Sequence, residues 1–198
     1  EVLKADGDPY TMFTPYHRAW RQRKAATVLP AVKFRPVPDR PKGVPLPSLK
    51  ELGFTTKITL PPAGERAGRE QMKRFMARGL ADYGTARNFP ARDATSRLSP
   101  HLRLGTLSPR TAQAAAEKAA RETHSARKGA ETFTGELAWR DFSRQILWHF
   151  PHVAAGCFRE KYDTLKWENN EKLFAAWCEG RTGYPIVDAG MRQLNTTG

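Results

Sequence analysis

Apolar side chains in the second half of the chain recur at intervals of three and four. Met72, Phe75, Met76, Leu80 and Tyr83 form one such run, and the spacing predicts a helix from Glu65 onward. Thr14-Pro15 reads as a cap followed by a first-turn proline, so a helix is expected from there to about Ala26, carrying Trp20 and the basic cluster Arg21, Arg23 and Lys24. Ser99-Pro100 and Ser108-Pro109 each read as a cap plus first turn, with Gly105 closing the short helix between them. The alanine-rich stretch after Pro109 predicts a helix to about Thr123. Further helices are expected from about Ala130 to Phe150, ended by Pro151, near Glu171 to Glu179, and from Pro185 to Asn195. No stretch alternates with period two, and no internal repeat is visible. An all-α fold follows.

Residues 28–62 break this pattern, because they hold eight of the fifteen prolines. The stretch reads as a long extended connector, partly polyproline-like, of the kind that joins two domains. The chain therefore divides at residue 64: 1–64 as lead-in helix and linker, 65–198 as a helical domain. Its 39% hydrophobic content and ten phenylalanines suffice for a packed core. No apolar run reaches the length of a membrane helix, and no secretory leader is recognised. Cys157 and Cys178 lack metal spacing and read as reduced thiols of a cytoplasmic protein. His149 and His152 are separated by the helix-breaking Pro151, so no metal site is expected.

Charge changes the picture more than composition does. Lys and Arg total 33 against 20 acids, a net +13, which favours a polyanionic partner such as nucleic acid over a merely basic surface. Three segments carry candidate chemistry. In FTGELAWRDFSRQILWHF, residues 133–150, Phe133, Leu137, Phe142 and Ile146 read as one apolar stripe, with Glu136, Trp139, Arg140 and Ser143 on the opposite face. That face is either an i,i+4 ion pair of Glu136 and Arg140 beside a half-packed tryptophan, or a surface that stacks a base. Tyr83 and Arg87, one turn apart, suit a planar ligand and a phosphate, or simple core packing. Thr95, Ser96 and Ser99 supply hydroxyls at a helix start, where an anion is favoured.

Taken together, DPYTMFTPYHRAW, TSRLSPHLRLGTLSPR, GELAWRDFSRQILWHFP and KWENNEKLFAAWCEGRTGYPIVDAGMRQLNTTG, in that order, resemble the photolyase and cryptochrome flavoprotein family, and the bacterial class I cyclobutane-dimer photolyases within it. The resemblance implies a fragment comprising the linker and the first half of a helical FAD-binding domain, with an upstream α/β antenna domain not present. It implies that Tyr83, Thr95, Ser96, Arg97, Leu98, Ser99, Phe133 and Arg140 hold FAD. Glu136 and Trp139 would meet the flipped-out pyrimidine dimer as the catalytic pair. Arg87, Glu136, Trp139, Arg140 and Ser143 would contact DNA, and Trp167 would be the outermost tryptophan of an electron-transfer chain.

The activity so implied is light-driven repair of cyclobutane pyrimidine dimers by a carbon-carbon lyase, with reduced FADH⁻ as electron donor and damaged DNA as substrate. A monomer is expected, with an antenna chromophore of unknown identity. The other readings are a cryptochrome-type blue-light receptor on the same scaffold and a basic helical nucleic-acid binder without flavin. Asn88 and Gly135 depart from the family pattern, and the fragment by itself is expected to hold FAD weakly or not at all and to repair nothing.

Overall fold

A computed structural model describes residues 1–23, 27–30, 32, 33, 35, 43–56, 58 and 60–198. The expected helix at residues 24–26, Lys24 included, and the remaining connector residues lie outside the described set. Among the described residues there is no strand, only a single antiparallel bridge between Leu3 and Pro9. The α-helices are α1 (Phe13–Gln22), α2 (Gly64–Arg78), α3 (Tyr83–Ala86), α4 (Ser99–Arg103), α5 (Pro109–Glu122), α6 (Ala126–His149), α7 (Glu171–Cys178) and α8 (Pro185–Thr197). Pro151–Ala154 and Glu160–Tyr162 form short 3₁₀ turns. No helix among them is long and apolar enough to cross a membrane.

The helix ends follow local chemistry, with differences from expectation: α1 ends at Gln22, with Arg23 already extended, and α6 starts at Ala126 rather than about Ala130. Ser108 caps α5 as predicted, its Oγ accepting from the Arg110 N–H at 3.3 Å. Asn170 caps α7 by accepting from the Lys172 and Leu173 N–H groups at 3.0 and 3.1 Å. The caps expected at Thr14 and Ser99 are not formed: α1 begins two residues earlier, at Phe13 after Met12, and α4 begins at Ser99 itself, after Leu98. Neither start has a side-chain cap bond, so Pro15 and Pro100 fix those first turns through their locked φ alone. A further difference is a break after Arg78. The run from Met72 to Tyr83 is interrupted by a turn, in which the Leu80 N–H donates to the Phe75 carbonyl, before α3 resumes.

The described residues fall into two compact units: Glu1–Leu29 with Ala63–Thr164, and Pro30–Pro62 with Leu165–Gly198. In the first unit α6 is the spine, with α5, α3 and α1 packed along it. Its apolar residues do not form the single stripe that the sequence suggests. Phe133 and Phe142 are nine residues apart, about 2.5 turns, and so project from opposite sides. Phe133 and Leu137 join a core of Met72, Phe75, Leu80, Tyr83, Leu98, Leu107, Ala112 and Ala116. Phe142, with Ile146 beside it, joins a second cluster built on Val2 and Tyr16. Side-chain links reinforce the α1 contact: Trp20 Nε1–H donates to Asp141 at 3.2 Å, and Arg21 pairs with Glu131 at 2.7 Å.

Gly129 sets the depth of the first core. A Cβ there would lie 1.6 Å from the Leu80 carbonyl oxygen, so the α6 backbone rests directly on the turn that precedes α3. In the second unit, Asp188 ties α8 to the loop that follows α7. Its carboxylate accepts from Thr182 N–H at 2.7 Å, Thr182 Oγ1–H at 2.6 Å and Gly183 N–H at 3.0 Å. The connector also has local order: Ser48 N–H and Oγ–H both donate to Glu51, and Ser48 Oγ accepts from the Glu51 N–H.

Gly129→Ala is expected to destabilise the chain by about 3 kcal/mol, because a backbone clash cannot relax as a flexible side chain would; chemical denaturation measures this. Hydrogen bonds, those from Thr182 foremost, hold the Asp188 carboxyl below its ordinary 3.8. A depressed folded-state value stabilises above pH 3.8 and loses that contribution as pH falls through it. Asp188→Asn should therefore weaken the pH dependence of unfolding below pH 3.8, as followed by circular dichroism.

Candidate functional site

The turn at Leu80 aims α3 so that its last residues lie against the middle of α6. Arg87, just past α3, crosses to Glu136 and donates an ion-paired hydrogen bond of 2.5 Å. The guanidinium also lies 5.3 Å from the centre of the Tyr83 ring. Glu136 thus pairs with Arg87, 49 residues away, and not with Arg140 at i,i+4. The Glu136 hydrogen bond, the largest cause, raises the Arg87 pKa above its usual value and keeps the group charged. Burial raises the Tyr83 phenol above its ordinary 10.0.

Tyr83 and Phe133, both expected at a cofactor, are buried in the core at 7% and 3% exposure. Their rings meet edge to face at 5.9 Å, and each also packs on Phe75. Leu98 joins the same core and is fully buried. The neighbours of Leu98 turn outward: Thr95, Arg97 and Ser99 are exposed, and Ser96 is half-buried. Arg97 adopts a left-handed conformation, φ 54°, and its side chain pairs with Asp93 at 2.9 Å. Gln71 Nε2–H donates to the Ser96 carbonyl at 2.9 Å and fastens this segment to α2. Sequence reasoning missed Gln71; its place on the α2 face between apolar positions was the only available signal.

Arg140 reaches back toward the same region and donates to the Leu102 carbonyl at 3.4 Å. Burial, then the Arg144 charge, lowers its pKa from the usual value. Trp139 is 44% exposed and stacks face to face on Phe13 of α1, with ring centroids 3.5 Å apart and planes 9° apart. Ser143, one turn on from Trp139 and Arg140, is exposed. Trp167 lies in the second unit, in the irregular stretch before α7, and is three-quarters exposed.

The first unit thus brings Tyr83, Arg87, Glu136, Trp139, Arg140 and Ser143 together along one sector of α6. A carboxylate, two guanidiniums, a hydroxyl and a flat ring share that sector, framed by the two buried apolar sides. The combination can hydrogen-bond a polar heterocycle, stack on it, and hold flanking phosphates. No cluster of three metal-ligating side chains occurs among the described residues.

Residues 133–198 match the family model described as the FAD binding domain of DNA photolyase. The whole chain is similar to the deoxyribodipyrimidine photo-lyase of Synechococcus sp., 38% identical over 209 aligned residues, covering 100% of this chain and 43% of that protein. It is 37% identical to the deoxyribodipyrimidine photo-lyase of Halobacterium salinarum, over 98% of this chain and 42% of that one. Among solved structures, a bacterial class III photolyase from Agrobacterium tumefaciens superposes with a TM-score of 0.81 at 32% identity, covering 100% of this chain and 42% of that one. The chain therefore spans about two-fifths of the length of these relatives.

The Arg87–Glu136 pair is partly exposed on both sides, 30% and 41%, which limits its worth. A double-mutant cycle of Arg87→Met and Glu136→Gln should give a coupling of about 0.5–1 kcal/mol at low salt, shrinking as salt is raised.

Proposed function

Because this chain belongs to the DNA photolyase family, we propose that it carries the linker (1–64) and part of the FAD- and DNA-binding domain (65–198) of a deoxyribodipyrimidine photo-lyase, an enzyme that splits cyclobutane pyrimidine dimers in DNA with light. The observation that carries the reading is the Arg87–Glu136 pair beside the half-open Trp139 ring. An ion pair needs no tryptophan next to it, and a core tryptophan would not sit 44% exposed among charges. A site that must grip a flat, polar, phosphate-flanked lesion needs all three groups.

The donor set of the first unit fits FAD. Thr95, Ser96 and Ser99 offer hydroxyls, and Arg97 and Arg140 offer guanidiniums, which suit a pyrophosphate. Tyr83, Leu98 and Phe133 back that wall from the core. α4 has only five residues, so its dipole adds little and the hydroxyls and arginines carry the binding. Bound in its reduced form, FAD supplies the electron that opens the dimer.

The chain's own residues do the rest. Glu136 hydrogen-bonds the polar edge of the flipped-out dimer and steadies negative charge that develops on it. Arg87 keeps that carboxylate aimed and offers its remaining N–H groups to the DNA backbone. Trp139 stacks on the extruded dimer, and Ser143 and Arg140 hold neighbouring phosphates. Extrusion costs less for a dimer, which already stacks and pairs poorly. Trp167, three-quarters exposed, would be the outermost tryptophan of an electron-transfer chain. The net charge of +13 supplies attraction to DNA that salt should weaken steeply.

The test is repair by the complete protein of a dimer-containing oligonucleotide under blue light and reducing conditions. Glu136→Gln should lower dimer splitting at least about tenfold. Arg87→Ala should weaken binding to every DNA and reduce the slope of log affinity against log salt by about 0.9. An unmodified protein that leaves the dimers intact in light would sink the assignment.

A further inference from the structure

We infer that Phe13 of α1 is a positioning residue that fixes the plane of the Trp139 ring for stacking on the extruded lesion; this rests on the reading of Trp139 given above. The two rings are nearly parallel, 9° apart with centroids at 3.5 Å, so Phe13 lies flat against one face of the indole. Phe142 closes the arrangement from the side, edge to face with Trp139 at 5.8 Å and with Phe13 at 5.7 Å. Trp139 nevertheless stays 44% exposed, so Phe13 and Phe142 do not enclose it.

Phe13 can act as a backstop because α1 is itself immobilised. Tyr16, one turn along, is 2% exposed within the second cluster. Trp20 and Arg21 are bonded to Asp141 and Glu131 of α6. His17 stacks with Phe13 at 5.2 Å and 12° and lies beside Gly135 of α6. The ring column is therefore anchored along two helices that are remote in sequence.

An exposed tryptophan on an unsupported helix samples several rotamers and loses that freedom on binding. A tryptophan already clamped in one plane does not, so its stacking goes further into affinity. The clamp also makes the platform one-sided: only the face away from Phe13 can receive a base. Discrimination between an extruded dimer and ordinary DNA then depends on a residue that never touches DNA.

The test measures equilibrium binding of the complete protein to an oligonucleotide with one cyclobutane dimer and to its undamaged counterpart, for Phe13→Leu, Phe13→Tyr and Trp139→Leu. Phe13→Leu should cut the preference for the damaged strand about three- to tenfold and leave undamaged binding unchanged. Phe13→Tyr should retain the preference, and Trp139→Leu should lose it. Near-ultraviolet circular dichroism should report a loosened indole in Phe13→Leu with an unchanged melting midpoint to within a few degrees. If Phe13→Leu keeps the preference within twofold while Trp139→Leu loses it, the positioning role is overturned alone. If Phe13→Leu weakens both oligonucleotides equally, the residue is merely structural and the inference also fails. If Trp139→Leu keeps the preference, the lesion-stacking reading falls and the inference with it.

Discussion

A single 24-residue helix, α6, has to bury two opposite sides at once. Its N-terminal half presses Phe133 and Leu137 into the cluster built on α2, α3 and α5, and its C-terminal half presses Phe142 against α1. Between these two sides, one sector of the helix carries Glu136, Arg140 and Ser143. The depth of the first contact is set by Gly129 lying on the Leu80 carbonyl. Because α3 starts just after that turn, the same contact decides whether Arg87 reaches Glu136. Any side chain at 129 would push the two backbones apart and separate the charges before it disturbed the helix itself.

The helical architecture was legible from local signals. Ser108-Pro109 and Pro151 mark ends that the structure reproduces, since capping and helix breaking act within a few residues. The Thr14 and Ser99 starts were misjudged because Pro15 and Pro100 can fix a first turn without a hydroxyl cap. The apolar positions of α6 were visible, but their division into two faces followed only from counting turns between Phe133 and Phe142. Of the site, the residue types and their helical sector were readable. Their partners were not: Arg87 finds Glu136 across 49 residues, and Trp20 finds Asp141 across 121. Periodicity carries no information about which distant helix supplies the opposite charge or the ring beneath a tryptophan.

The aromatic arrangement divides labour in a way the ionic one does not. Edge-to-face and tilted contacts among Phe75, Tyr83 and Phe133 bind helices together inside the core, where geometry is set by packing on all sides. The parallel contact of Phe13 with Trp139 lies at the surface, where one partner is held and the other stays partly exposed. The core rings make the fold, and the surface pair turns part of that fold outward. The ion pair of Arg87 and Glu136 sits between the two, resting on a core tyrosine and facing solvent.

The packing of α1 on α6 has a topological consequence. It closes a long loop of chain, and the entropy of closing a loop grows only with the logarithm of its length. Doubling the chain between the two helices would cost only about 0.6 kcal/mol. The connector can therefore change in length and composition with little effect on the fold, while an insertion within α1 would break its packing on α6. Tolerance to insertion should drop abruptly at the border between them, as the edge of a tether meets the edge of a rivet.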